Sequence, residues 1–428
     1  MIIEKLIFGY QAESFSELEI IYSIILPILI YLYFKKFYEF KYLKFVILFI
    51  YLFVFVYFIL LYPNYSGSDK NGNCAWLELE STINNGQSAY KLQANRFIQE
   101  EPYITNIKIS FYYSPIFKPL YKFICSLDNY VFNVINISSI FIVIFLLQKL
   151  INKNLVLNSA LIFSGLSSYL WVIRQGQVIF IELIFLILGF YFYKNNKFLL
   201  GNIFLLLFGL CRIYFLIFLL PVLFLKKTRS ANLGMSVFIL IIFFLQKNLW
   251  FDYFFLWFSE DGYLFGDVTT YSKRVSLFDE HLGRYAFSVF LVIRFIFSSI
   301  LNLPWSSTET LSLFIVFCLI LISNVVLIKF TKNKDLYNKI LIFALTNFVL
   351  YPVLKPYILV VYFVICIALF DYKNKEFQHF TFFMFCILGL YGHLVTHLIS
   401  STFTLEIYQM TLIMFHFILS FNKRFSKN

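Results

Sequence analysis

An all-α, polytopic transmembrane bundle with about thirteen crossings and a long first extracytoplasmic loop is the architecture the sequence predicts. Three observations point to it. Hydrophobic residues make up 61% of the 428-residue chain, and the mean hydropathy is +0.79; globular chains are about 45–50% apolar. The apolar residues are gathered into runs of about 15–22 residues, the length that crosses a hydrocarbon core of about 30 Å as a helix. Short loops rich in Lys and Arg separate these runs, as the positive-inside rule requires. The formal net charge of +12 is therefore a topology signal and not a nucleic-acid footprint. The abundance of Phe (58) and Tyr (31) carries little functional weight by itself.

In chain order the apolar runs cover residues 18–34, 43–62, 130–148, 155–172, 177–193, 198–209, 212–225, 232–250, 285–302, 311–329, 339–353, 356–371, 379–397 and 403–421. The whole chain, 1–428, reads as a single integral membrane domain of the inner (plasma) membrane, with no tandem repeat and no cleavable signal peptide. Lys35, Lys36, Lys41 and Lys44 follow the first run, Lys149 and Lys153 the third, Lys194 and Lys197 the fifth. Lys226, Lys227 and Arg229, then Lys329 to Lys339, Lys373 and Lys375, and the terminal Lys423, Arg424 and Lys427 continue the pattern. With all of these in the cytoplasm, residues 63–129 form the first outer loop and 251–310 a second outer segment. Two places need a special reading. The apolar stretch between Lys197 and Lys226 keeps both basic ends inside as two short helices that break near Gly209 to Arg212. The run at 285–302 carries Arg294 in its middle, which is costly in lipid, and reads as an interfacial helix on the outer face.

Of the six cysteines, Cys211, Cys318, Cys366 and Cys386 lie in apolar runs and read as small core residues. Cys74 and Cys125 lie in the first outer loop, where a disulfide and two free thiols are both open readings.

Candidate chemistry gathers at the outer face. Asp69 lies about seven residues beyond a predicted helix end, close to the bilayer surface, where a carboxylate can take a proton from a hydroxyl brought within hydrogen-bonding reach. The bland reading is a solvated loop acid followed by an Asn71-Gly72 turn. Arg174, Arg212, Arg294 and Lys355 are cations on the side where the positive-inside rule disfavours them. An anionic lipid phosphate would account for all four, and snorkelling or local ion pairs would account for any one. Glu182 lies inside a predicted membrane helix, either near its outer end or paired with a cation. His393 and His397 are four apart on one helix face. With no His-Glu-x-x-His and no third ligand they read as a packed or substrate-contacting pair, and no metal site is expected.

The order of these segments resembles the family 87 glycosyltransferases, the polyprenol-phosphate-mannose-dependent mannosyltransferase type of the GT-C superfamily. Asp69 stands where that family has an early loop Asp. Asn85-Gly86-Gln87-Ser88-Ala89-Tyr90 matches its Gly-x-x-x-Tyr turn. Tyr112-Tyr113-Ser114-Pro115 matches a Tyr-x-Pro-Pro-like element, with Ser for the first Pro. Gly176-Gln177-Val178-Ile179 matches a Gly-Gln-x-Asn turn without the Asn. Gly201 through Arg212 to Pro221 matches a Gly-rich short helix, with Arg for Lys, and Tyr351 to Tyr357 matches a late Pro-x-x-Lys-Pro-Tyr-like turn. The resemblance covers roughly residues 55–370.

The resemblance implies a GT-C-like fold and inverting transfer of a sugar such as mannose from a polyprenyl-phosphate donor to the hydroxyl of a glycan or glycolipid acceptor. Asp69 would be the base. Arg212, Lys355, Arg294 and Arg174 would hold the donor phosphate, and Tyr90, Tyr113, Gln177, Tyr357 and His393 would contact substrate. A lipid monophosphate needs no metal in principle, no Asp-x-Asp pair stands in the outer loops, and no cofactor is expected. The rival class is a lipid-linked oligosaccharide polymerase or flippase, which the basic residues Lys273, Arg274, His281 and Arg284 of the late outer loop keep open.

Overall fold

The computed structural model describes residues 68–82, 87–95, 113–151, 176–212, 225–258, 305–330, 336–350 and 359–369, with isolated positions between them. All regular structure among the described residues is helical. In the first loop, α1 (Ser68–Thr82) and α2 (Ala89–Asn95) precede a 3-10 turn at Pro115–Phe117 that leads into α3 (Lys118–Ser126). The remaining helices are α4 (Asn129–Ile151), α5 (Ile179–Lys194), α6 (Phe198–Cys211), α7 (Arg229–Leu245), α8 (Lys247–Phe258), α9 (Trp305–Phe330), α10 (Leu336–Val349) and α11 (Leu359–Leu369). Segments Asn129–Leu150 and Leu311–Lys329 are each long and apolar enough to cross a membrane. The bent pair α7 and α8 makes up to three such spans, and α6 and α10 are shorter apolar helices. The predicted runs at 18–34, 43–62, 379–397 and 403–421 lie outside the described residues, as do 155–171 and, in the run at 285–302, Arg294.

Helix α5 is the centre of the bundle. It is apolar on all sides, the signature of a helix with no solvent face, and Ile179, Phe180, Leu183, Leu186, Ile187 and Phe190 are fully buried. Helices α4, α6, α10 and α11 all pack on it. The α5–α6 hairpin is close because glycines face bulky neighbours: a Cβ at Gly201 would stand 2.6 Å from the Tyr193 ring, and one at Gly189 would stand 2.8 Å from the Leu205 side chain. Tyr193 hydrogen-bonds Asn202, whose amide donates to Asn232 Oδ1 at 2.8 Å, tying α6 to α7. Outward faces carry bare apolar side chains, Ile142 and Phe145 on α4 and Phe314 and Phe317 on α9, as lipid-facing helices require.

Two ends of the bundle differ in character. At one end, Lys194 donates to the Leu150 carbonyl, so the basic ends of α4 and α5 lie side by side. This agrees with the common cytoplasmic side expected for Lys149 and Lys194. The first loop packs at the opposite end. The expected break in 198–225 is present: α6 ends at Cys211, Arg212 is extended (φ −141°, ψ 122°), and the Phe215 N–H donates to the Arg212 carbonyl at 2.7 Å. Gly209 permits this fold-back, since a Cβ there would stand 3.2 Å from the Leu216 Cα.

Two expectations are corrected. Asn71 and Gly72 form no turn; they lie within α1, held helical by the burial of Trp76 and Leu77 and by a disulfide between Cys74 and Cys125. That bond decides the open question about the loop cysteines. The run at 232–250 is not one straight crossing. The chain bends by 96° at Gln246, and α8 continues in a new direction.

Candidate functional site

The site is built where the first loop meets α5 and α6 at the end of the bundle opposite Lys194. Gly176 adopts φ 65°, a conformation glycine enters without steric penalty, and the turn it makes delivers Gln177 to the start of α5. The Gln177 N–H donates to the Val172 carbonyl at 3.0 Å, and the Gln177 carbonyl accepts from Asn136 Nδ2 at 3.0 Å. One turn further along, Glu182 points into the bundle and is 2% exposed.

Arg212 meets this turn from the other strand of the hairpin. Its Nε donates to both Glu182 oxygens at 3.1 Å, and its Nη2 donates to Gln177 Oε1 and to the Tyr113 hydroxyl, the latter at 3.1 Å. The guanidinium carbon also stands 5.3 Å from the Tyr113 ring centroid. Arg212 is wholly buried, and its charge is turned toward Glu182, Gln177 and Tyr113. The sequence reading put this cation on the outer face as a phosphate ligand; in the structure a carboxylate of the same chain supplies the counter-charge. Of the two readings of Glu182, the structure has it paired.

Tyr113 links this pair to the loop. Its carbonyl accepts from the Tyr90 hydroxyl at 2.8 Å, and its ring lies against that of Tyr121 with centroids 3.9 Å apart. Burial pushes the Tyr90 and Tyr121 phenols well above their ordinary pKa. For Tyr90 the neighbours Tyr253 and Glu80 add to the effect; for Tyr121, Tyr113 and Glu182 add and Arg212 opposes. Burial thus favours the neutral, hydrogen-bond-donating form of both phenols. A pocket of about 10 Å³, lined by Tyr113, Phe117, Tyr121, Glu182, Phe185 and Cys211, is at the lower limit for one water.

The loop is fixed by further contacts. Lys118 pairs with Glu80. Ser88 caps α2 by accepting from the Lys91 N–H at 3.2 Å, and donates to Asp252 Oδ2 of α8 at 2.6 Å. Lys70 donates to the Leu127 carbonyl and to Asn129 Oδ1, each at 3.0 Å, and stands 4.8 Å from the Phe132 ring centroid. Its burial lowers its pKa, with Asp128 opposing. Asp69 precedes Lys70 in the first turn of α1.

Of the residues singled out from sequence, Tyr90, Tyr113, Gln177 and Arg212 come together in one cluster with Glu182. Arg174, Arg294, Lys355, Tyr357 and His393 lie outside the described residues. Sequence reasoning missed Tyr121, Lys118 with Glu80, and Ser88 with Asp252. The last two pairs are separated by 38 and 164 residues, and no local pattern signals either. No protein-family model, curated protein or solved structure matches this chain.

Proposed function

We propose that this chain is an inverting glycosyltransferase of the membrane that moves a sugar from a polyprenyl-phosphate carrier to an acceptor hydroxyl at the extracytoplasmic face. The observation that supports it is the docking of the first loop. Tyr90 and Tyr113 are held at the outer end of the α5–α6 hairpin through the Arg212–Glu182 pair, and the same loop carries Asp69 on a disulfide-braced helix. About thirteen crossings in the inner membrane belong to this reading, as does the outer position of the loop.

In the proposed reaction the acceptor oxygen attacks the anomeric carbon from the face opposite the phosphate. The bond from that carbon to the phosphate oxygen breaks, the configuration inverts, and the polyprenyl phosphate leaves. Asp69 takes the hydroxyl proton. Glu182 is held by Arg212 and does not compete for this role. Arg174, Arg294 and Lys355 are the cations assigned to the phosphate. Arg212 acts through Glu182, Gln177 and Tyr113 and is a positioning residue.

The test is incubation of the purified protein in lipid with radiolabelled polyprenyl-phosphate sugars and candidate acceptors. Donor consumption with transfer to acceptor is expected. Asp69→Asn should reduce turnover by roughly 10²–10⁴-fold, the usual contribution of a positioned base, at unchanged protein yield. Full activity of that variant would remove Asp69 from the mechanism.

A further inference from the structure

Helix α8 divides cleanly into two faces. Trp250, Tyr253 and Leu256 are buried. Asp252 accepts from Ser88, and the Tyr253 ring meets Tyr90 edge-on with centroids 5.2 Å apart. This face is spent on the first loop. The opposite arc holds Lys247 and Asn248 in the first turn, then Phe251, Phe254 and Phe255. Phe251 is 62% exposed and Phe255 53%. They are four residues apart and so share one side of the helix.

The geometry points to α8 as an in-plane helix of the outer leaflet, with Phe251 and Phe255 inserted at the boundary between headgroups and acyl chains. Three observations carry this. The chain turns by 96° between α7 and α8, so a helix along the membrane normal is followed by one close to the membrane plane. Helix α7 has 17 residues, about 25 Å of rise, which brings the bend to the edge of a hydrocarbon core of about 30 Å. Helix α7 also carries an exposed apolar stripe, Leu233, Val237, Leu240 and Phe244, at the 3–4 residue spacing of one helix face. The exposed rings of α8 continue the apolar surface past the bend. The bilayer is thus the partner of one face and the first loop the partner of the other. Helix α8 sets the height of that loop above the lipid. The inference requires a membrane-spanning α7 but not glycosyl transfer.

Depth measurement by spin labelling tests it. Cys211, Cys318, Cys366 and Cys386 are changed to Ala, the Cys74–Cys125 disulfide is left intact, and nitroxides are attached to Phe244→Cys, Asn248→Cys, Phe251→Cys or Phe255→Cys in protein reconstituted into phosphatidylcholine vesicles. Collision with oxygen against a water-soluble nickel chelate gives the depth. Labels at 248, 251 and 255, which share one face at i, i+3 and i+7, should lie at nearly the same depth, just below the phosphates, with 244 deeper. If α8 ran along the normal, 251 and 255 would differ by about 6 Å, and the inference would fall. Access of the nickel reagent to 251 and 255 as free as to a label in water would make α8 a solvated helix. Shielding of 251 and 255 from both reagents would make that face a protein contact. Either result also overturns the inference.

Discussion

Replacing Arg212 with Gln removes the cation from a pair buried away from bulk solvent. Arg212 is fully enclosed and Glu182 is 2% exposed. Its Nε spans both carboxylate oxygens at 3.1 Å, and its Nη2 serves Gln177 and Tyr113. An ion pair in solvent contributes about 0–1 kcal/mol. Stripping one partner from a buried pair costs about 3–5 kcal/mol, because the charge left behind has neither solvent nor counter-ion. That is roughly a hundred- to several-thousandfold in the folded-to-unfolded ratio. Arg212→Lys keeps the charge, but a single ammonium cannot reach Glu182, Gln177 and Tyr113 with the geometry of a guanidinium. Its loss should be about 1.5–3 kcal/mol, the contribution of a charge-assisted hydrogen bond. The paired change Arg212→Met with Glu182→Leu removes both charges and should recover most of the stability. The assay is unfolding of the purified protein by graded SDS in mixed micelles, run on the two single variants, the double variant and wild type. A loss under about 1 kcal/mol for Arg212→Gln, the range of an exposed pair, would refute the argument. If that variant were stable but impaired in donor KM, Arg212 would be a phosphate ligand after all.

Removing the disulfide by Cys74→Ala with Cys125→Ala opens a loop of 51 residues, which chain entropy puts at up to about 4 kcal/mol; faster protease nicking of the first loop is the readout, and unchanged nicking would show that Lys70 and Lys118 suffice. Gly176→Ala forces a Cβ into φ 65° and should cost about 1–2 kcal/mol, read as a lower SDS midpoint, with wild-type stability showing that the turn relaxes. An impermeant thiol reagent should label Gln87→Cys but not Asn428→Cys in sealed right-side-out cells; the reverse result would invert the topology and move the site to the cytoplasmic side.

Much of the bundle was legible because the membrane imposes a strong rule: every spanning backbone group must be paired within its own segment. Apolar runs therefore forecast α4, α5, α6, α10 and α11 to within a few residues, while α9 begins earlier than its run, at Trp305. The break at Arg212 was visible too, since a fully charged side chain and Gly209 interrupt the run. The bend at Gln246 was not. Gln246-Lys247-Asn248 interrupts the apolar residues there, but no Pro or Gly marks a change of direction, and the apolar run reads through the triplet to Trp250. Local propensity also misled at Asn71-Gly72, where burial of Trp76 outweighs the preference of those two residues for a turn.

The candidate site divides the same way. The sequence by itself determined a helical chain with apolar segments long enough to cross a membrane, and put Tyr90, Tyr113, Gln177 and Arg212 in segments worth watching. Hydropathy and charge are properties of residues, and the bilayer reads them one segment at a time. What those residues do to one another was decided only by the tertiary structure. Arg212 reaches Glu182 across 30 residues of chain and Tyr113 across 99, and Ser88 finds Asp252 across 164. Whether a buried arginine is open to a ligand or satisfied by a neighbouring carboxylate depends on distances of about 3 Å between segments far apart in sequence, and only folding fixes those distances.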